Sequence, residues 1–393
     1  MSAKAIAPRV LTGGEAVAEA MRQIDPDVVP VYPITPQTPI IQTFAKFVAN
    51  GRAHAEIVNV ESEHSAMSAA IGAALAGART MTATSSQGLA LMAEVVYIAA
   101  AMRAPIVMAL GNRALSGPIN IHCDHSDSML VRDSGAIQLF AENAQEAYDL
   151  TLMAPRIAEH PDVLLPVLVC QDGFTITHSA EPVELVPDRA ARRFVGGYTV
   201  PFPLLDVKSP ATHGPFAMPD YYYEVRYQQV AAMSAALDVF EDVAQAYESV
   251  SGRAYDVVET YELEDADSAI ICLGSTAGTI KDAIDALRRD GERVGLLELR
   301  SFRPLPVDRL RSALRNVSNL AVLDRADSPG GRPPLFAEIA AILAGEDVRL
   351  RSFVYGLGGR ELHPEDVPGI LADLVTPGAG PEYVGLRGET CPV

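Results

Sequence analysis

The chain has 393 residues, a formal net charge of -19, 49% hydrophobic residues and no tryptophan. Its length exceeds the usual single-core size and predicts two or three domains. The acidic balance argues against a nucleic-acid partner, since phosphates would be repelled, yet a locally basic pocket can still take a small anion.

In chain order, Thr12 predicts a cap for a helix spaced through Ala16, Val17, Ala20, Met21 and Ile24. Residues 28–32 read as a strand that Pro33 and Pro36 terminate, because proline lacks a ladder donor and restricts its predecessor. Pro39 then stands near the start of a helix containing Ile40, Phe44 and Phe47. Strand 56–60 leads to helix 63–78, whose side chains are tiny (Ala66, Ala69, Ala70, Gly72, Ala73, Ala74, Gly77) and allow close approach of another element or a flat ligand. Strand 80–84, helix 88–101 and strand 105–110 continue a βαβ rhythm that predicts a largely parallel sheet, and 163–170 is a further strand. Residues 192–227, rich in Gly, Pro and Tyr, read as a long ordered connection that covers a partner or an adjacent domain. Residues 228–250 have helical spacing. The alternation then restarts: strands at 269–273, 294–299, 320–323 and 353–355, with helices after Gly274 and near 307–317 and 335–343. This predicts a smaller doubly wound domain. No signal peptide or membrane span is predicted.

In parallel sheets, ligands bind beyond the carboxyl ends of strands, where Thr35, Glu61, Glu63, Ser85, Ser86, Gly111 and Arg113 fall. Thr35, between Pro33 and Pro36, either belongs to a proline turn or aims its hydroxyl at an acceptor. Glu63 either caps its helix, where the dipole favours an acid, or takes part in proton chemistry on a ring nitrogen. Arg113, flanked by Gly111 and Gly117, suits the carboxylate of a 2-oxoacid through two parallel hydrogen bonds, or forms a structural ion pair. His122, Cys123, Asp124, His125 and Asp127 resemble a metal cluster, but the spacing is tight. A loop network in which Asp124 or His125 orients Arg113 is the preferred reading. Gly274-Ser275-Thr276 lacks a phosphate-loop pattern and reads as a fold-stabilising turn, and Ser328–Gly331 and Gly356–Gly359 read as tight turns or partner surface. Ser85 and Ser86 sit in no nucleophile elbow, which argues against hydrolysis. Cys123, Cys170, Cys272 and Cys391 form no CxxC pair and read as reduced thiols of a cytoplasmic protein.

Tyr32-Pro33-Ile34-Thr35-Pro36, Glu61-Ser62-Glu63-His64, the run from Thr82 to Leu89, Asn112-Arg113-Ala114 and Asp124-His125-Ser126-Asp127 together resemble the α subunit of 2-oxoacid:ferredoxin oxidoreductases of the pyruvate synthase type. The resemblance continues through Glu298-Leu299-Arg300-Ser301-Phe302-Arg303-Pro304, Asp324-Arg325 and the stretch from Tyr355 to Arg360. It implies an α/β chain with a pyrimidine-type thiamine-diphosphate domain over residues 1–255 and a transketolase C-terminal-like domain over 256–393. It also implies oxidative decarboxylation of pyruvate, with electrons passing to ferredoxin and the acyl group to coenzyme A. By this resemblance Glu63 hydrogen-bonds the aminopyrimidine ring, and Ser85, Ser86 and Gln87 line the cofactor. Thr35 and Arg113 hold the oxoacid, and Asp124, His125 and Asp127 support the site. No metal is expected in this chain; a β chain would bring magnesium, the diphosphate site and a 4Fe-4S cluster, with γ and δ-type chains alongside. Branched 2-oxoacids or 2-oxoglutarate as substrates, a lipoyl-linked dehydrogenase component and a non-catalytic assembly subunit are the alternatives.

Overall fold

A computed structural model describes residues 7–374 and 380–388. The first predicted cap is present: Thr12 Oγ1 accepts from Glu15 N at 3.2 Å, and Glu15 Oε2 accepts from Thr12 N at 3.0 Å. This reciprocal box starts helix Gly13–Ile24, which packs against helices Thr38–Ala49 and Ala144–Ala158. Pro39 lies in the first turn of Thr38–Ala49, where its missing N–H removes no helical bond.

Among the described residues the larger sheet has seven strands, in the order Ser301–Arg303, Ile137–Phe140, Val167–Asp172, Ile106–Asn112, Thr80–Thr84, Val28–Val31 and Glu56–Asn59. All neighbours are parallel except Ser301–Arg303, which joins the edge antiparallel. The central strands are buried along their whole length, as a parallel sheet covered on both faces requires. The six-stranded sheet runs Glu382–Tyr383, Arg349–Val354, Asn319–Asp324, Ser268–Cys272, Val294–Leu299, Val258–Tyr261, with only the last strand antiparallel. Strand Ser301–Arg303 therefore leaves the smaller sheet after Leu299 and extends the larger one.

Two features depart from the sequence reading. Apolar periodicity does not reveal strand Ile137–Phe140 or helix Ala144–Ala158. That helix lies so deep that Tyr148, Asp149 and Thr151 are buried beside its apolar residues, so it has no solvated face to set a pattern. Asp149 is held there by Arg253 at 2.6 and 2.7 Å and by the Tyr255 hydroxyl at 2.6 Å. The 192–227 connection is in part helical: Asp188–Val195 is a helix, and Pro219–Ser251 starts nine residues before the predicted position of 228. Pro219 at the first turn presets the helical backbone, so Tyr221, Tyr222 and Tyr223 stand on an exposed helix end rather than in a loop. Only from Gln229 onward does this helix bury a stripe, through Ala232, Ala236, Val239, Phe240, Val243 and Tyr247.

Cys123, Cys170 and Cys272 are free and buried, and Cys391 lies outside the described residues. Among the described residues no helix is long and apolar enough to cross a membrane.

Candidate active site

The site lies where strands Val28–Val31, Glu56–Asn59, Thr80–Thr84 and Ile106–Asn112 end, so each functional side chain is set by a strand terminus and the loop or helix that follows. Ser62 caps helix Glu63–Ala76 by accepting from Ser65 N at 3.3 Å, which frees Glu63 from that duty. Glu63 is buried, and among the described residues no hydrogen bond reaches its carboxylate. It rests against the Gly88 backbone: a Cβ built there would meet Glu63 Oε1 at 2.8 Å and Thr84 Oγ1 at 2.4 Å. Thr84 Oγ1, Ser85 Oγ, Gln37 Oε1 and Asn112 Oδ1 are likewise buried without a partner among the described residues. Gly111 brings Ser85 and the Pro36–Gln37 turn together, since its added Cβ would lie 3.1 Å from Ser85 Oγ, 3.4 Å from Pro36 Cγ and 3.5 Å from Gln37 N. Buried polar atoms are normally paired, so this concentration of unsatisfied groups marks a place built for a polar ligand.

Ser86 and Gln87 stand differently. Ser86 adopts φ 46°, unusual for a residue with a side chain, and is pinned by N–H donation to Asp127 Oδ2 at 3.0 Å and Oγ donation to the Ala114 carbonyl at 2.6 Å. Gln87 Oε1 lies 2.6 Å from the same hydroxyl. Both shape the start of helix Ser86–Ala101, whereas Thr84 and Ser85 offer the free hydroxyls.

Arg113 lies almost wholly buried, 7% exposed. Its Nε donates to the Asn120 carbonyl at 2.8 Å and its Nη1 to the Thr35 carbonyl at 3.1 Å. Of the five guanidinium N–H groups, two are thereby engaged and about three remain for a ligand. No ion pair to Arg113 occurs among the described residues, which removes the structural ion-pair alternative. Thr35 itself is exposed, and Pro36 and Gln37 behind it are buried. Its carbonyl holds the arginine.

The supporting residues divide in a way that spacing does not reveal. Asp127, rather than Asp124 or His125, holds the Arg113 backbone: its carboxylate accepts from Arg113 N at 2.9 Å, Ser86 N at 3.0 Å, Asn112 Nδ2 at 2.9 Å and Ser128 N at 2.7 Å. Burial pushes this carboxyl up to about 6, against the opposing pull of those donors. Asp124 instead accepts from Ser126 N at 3.0 Å and Gly358 N at 3.3 Å. His125 Nε2 pairs with Asp172 Oδ1 at 2.7 Å. Asp172, which motif reading did not single out, also accepts from Arg325 Nη1 at 2.8 Å, Ser275 Oγ at 2.6 Å and Ser275 N at 3.2 Å. Burial alone would raise the Asp172 carboxyl, but His125 and Arg325 hold it well below the usual carboxylate range. Cys123, His125 and Asp172 do converge, yet Arg325 occupies Asp172, and burial keeps the Cys123 thiol far above its ordinary value. An ion-pair network describes this cluster better than a metal site. Gly274-Ser275-Thr276 is the fold-stabilising turn that its sequence predicts, now seen to dock on Asp172.

A buried, unbonded acid beside the orphaned Thr84 hydroxyl suits a ring that donates hydrogen bonds, and the fixed Arg113 fork, which follows another strand of the same sheet, suits a carboxylate. Comparison with known proteins points the same way. Residues 19–245 match the family model described as pyruvate flavodoxin/ferredoxin oxidoreductase, thiamine diP-bdg, and residues 266–367 match pyruvate:ferredoxin oxidoreductase core domain II. The pyruvate synthase subunit PorA of Thermotoga maritima is 53% identical over 382 residues, covering 96% of this chain and 97% of that protein. The ketoisovalerate oxidoreductase subunit VorA of Pyrococcus horikoshii is 41% identical over 369 residues, 93% of each. In fold, a 2-oxoglutarate:ferredoxin oxidoreductase from Magnetococcus marinus superposes with a TM-score of 0.73 at 20% identity; the match covers 94% of this chain and 65% of that longer one.

Proposed function

The chain belongs to the pyruvate flavodoxin/ferredoxin oxidoreductase family, and from that premise we propose that it is the α subunit of a multi-subunit pyruvate:ferredoxin oxidoreductase. The enzyme oxidatively decarboxylates pyruvate, passes the electrons to ferredoxin and the acetyl group to coenzyme A. The observation that carries the site assignment is the Glu63 carboxylate, buried at a helix start with no hydrogen bond among the described residues and with Thr84 Oγ1 and Ser85 Oγ unsatisfied nearby.

Glu63 and these two hydroxyls fit the aminopyrimidine ring of thiamine diphosphate, which supplies, when bound, a nucleophilic carbon and an electron sink. Glu63 would accept a hydrogen bond from the ring and hold its reactive tautomer. Gly88 leaves room for the Glu63 and Thr84 side chains, and Gly111 for that of Ser85. The Arg113 fork, braced by Thr35 and Asn120, would take the oxoacid carboxylate end-on and orient its keto carbon. Desolvation around Arg113 strengthens that pairing and keeps water from competing.

The chain has no CxxC pair, and we assign the diphosphate, magnesium and 4Fe-4S sites to a β subunit, with γ and δ-type chains completing the assembly. The three buried free thiols support a cytoplasmic location. Pyruvate is preferred over 2-oxoisovalerate because the pyruvate synthase relative is the more similar of the two, at 53% against 41% identity.

The test is Glu63→Gln in the enzyme reconstituted with its partner chains. Assembly should be normal while thiamine-dependent pyruvate oxidation falls by on the order of 10²–10⁴-fold, the range for loss of a general acid–base group. Near-parental turnover would reject the assignment. Parallel ferredoxin-coupled assays with pyruvate, 2-oxoisovalerate and 2-oxoglutarate decide the substrate.

A further inference from the structure

We propose that Asn120 is a positioning residue through which the glycine turn Gly356–Gly359 of the second sheet unit sets the pose of the Arg113 fork. The inference rests on the reading of Arg113 as the oxoacid ligand and adds what fixes it.

The loop from Ala114 to His122 is closed at its base by Ala114 N donating to the His122 carbonyl at 3.0 Å. Within it, Ser116, Gly117, Pro118, Ile119 and Ile121 make no hydrogen bond among the described residues and are exposed. Asn120 alone anchors the tip, and it does so with three groups. Its carbonyl accepts Arg113 Nε at 2.8 Å, its Nδ2 donates to the Gly358 carbonyl at 2.9 Å, and its Oδ1 accepts His122 N at 2.7 Å. The amide orientation follows from this pairing, because a backbone N–H can only donate and a backbone carbonyl can only accept.

The other side of the contact is shaped to receive it. Gly358 has φ 61°, and a Cβ there would stand 2.5 Å from Asn120 Nδ2. Gly359 has φ 84°, and its Cβ would stand 2.3 Å from His122 Cβ. Gly358 N donates in turn to Asp124 Oδ2 at 3.3 Å, so the turn grips the loop at two points. Side chains are excluded at Gly358 and Gly359 both by backbone conformation and by the closeness of the loop. The carbonyl that braces Arg113 thus has its position decided 238 residues away in sequence. A fork bound from both sides presents its remaining donors in one direction. A loop tip released from Gly358 would let the carbonyl, and the fork with it, drift.

The experiment uses the assembled enzyme and measures the KM for pyruvate and the half-saturating thiamine diphosphate concentration. Asn120→Ala should raise the pyruvate KM roughly tenfold, since about 1 Å of misplacement is costly in a preorganised site, with cofactor half-saturation unchanged. Asn120→Asp retains the acceptor for His122 but loses the donor to Gly358, and should behave like Asn120→Ala. Gly358→Ala, which touches no part of Arg113, should reproduce the effect, and Asn120→Ala/Gly358→Ala should be no worse than the stronger single variant. A parental pyruvate KM in Asn120→Ala, a multiplicative double variant, or equal loss of pyruvate and cofactor affinity overturns the proposal. Arg113→Lys serves as the control: if it raises the pyruvate KM while Asn120→Ala does not, only this inference fails; if Arg113→Lys is itself without effect, the substrate assignment fails and takes the inference with it.

Discussion

A methyl group on Gly88 would stand 2.4 Å from Thr84 Oγ1 and 2.8 Å from both Cγ and Oε1 of Glu63. Contacts that short cannot persist, so the acid or the strand end must give way. The Glu63 carboxylate, with no hydrogen bond of its own, is the more easily displaced. Gly88→Ala should therefore leave the fold and assembly intact while raising the half-saturating concentration of thiamine diphosphate, by about tenfold or more. An unchanged cofactor titration would show that Glu63 does not depend on this floor. Single residues also explain why Ser86 and Gln87 are expected to matter less directly than Ser85. Ser86 is committed to Ala114 and Gln87, and its backbone to Asp127, whereas the Ser85 hydroxyl has no partner among the described residues.

At the level of elements, the meeting of strand Val294–Leu299, helix Thr276–Arg289 and the start of helix Ala144–Ala158 gathers Glu142, Glu146, Glu259 and Glu298 around Lys281 and Arg300. Arg300 Nη2 donates to Glu146 at 2.6 Å and to Glu259 at 2.7 Å, and Lys281 Nζ lies 2.8 Å from Glu142 and 3.4 Å from Glu298. Burial, and then the neighbouring Glu146 charge, push the Glu298 carboxyl up to about 9, so it carries a proton at neutral pH. The native state then holds a proton that the unfolded chain releases near the ordinary value of 4.5. This contribution to stability is complete below that value and is lost as pH rises toward about 9. Glu298→Gln should be close to neutral at pH 7, within about 1 kcal/mol, and should flatten the decline in unfolding free energy between pH 5 and 9. Denaturant titrations across that range check it, and an equally steep variant would show that Glu298 is ionised in the native protein.

For the whole molecule, Asp172 is one latch between the two sheet units. It ends a strand of the larger sheet and receives Ser275 and Arg325 from the smaller one, with His125 alongside. Arg325 is almost fully buried, and removing its counter-charge would strand a cation in the interior. Asp172→Asn should cost about 3–5 kcal/mol in chemical unfolding, the penalty for breaking one side of a buried pair. The depressed carboxyl favours the folded state above its unfolded value and loses that advantage only as pH falls through its lower folded value. A loss below 1 kcal/mol would mean that the units hold together without this pair. Because the same latch positions His125 and the 120–127 loop, the variant should also weaken pyruvate use.

The strand-end positions of Thr35, Glu63 and Arg113 were legible because their placement is local: prolines and apolar alternation put each at a strand end, and parallel strands align those ends on one side. The course of helix Ala144–Ala158 was not legible, since an element buried on nearly every face has no polar stripe to betray it. Nor could spacing choose among Asp124, His125 and Asp127, which lie within four positions and turn to three different partners: Gly358, Asp172 and the Arg113 backbone. Asp172 meets Arg325 across 153 residues, and Asn120 meets Gly358 across 238. Such pairings follow from how two sheets pack, a matter of long-range shape and burial. The amino-acid order by itself determined which groups follow the strand ends, and the tertiary structure alone decided which of them are held, which are free, and what holds them.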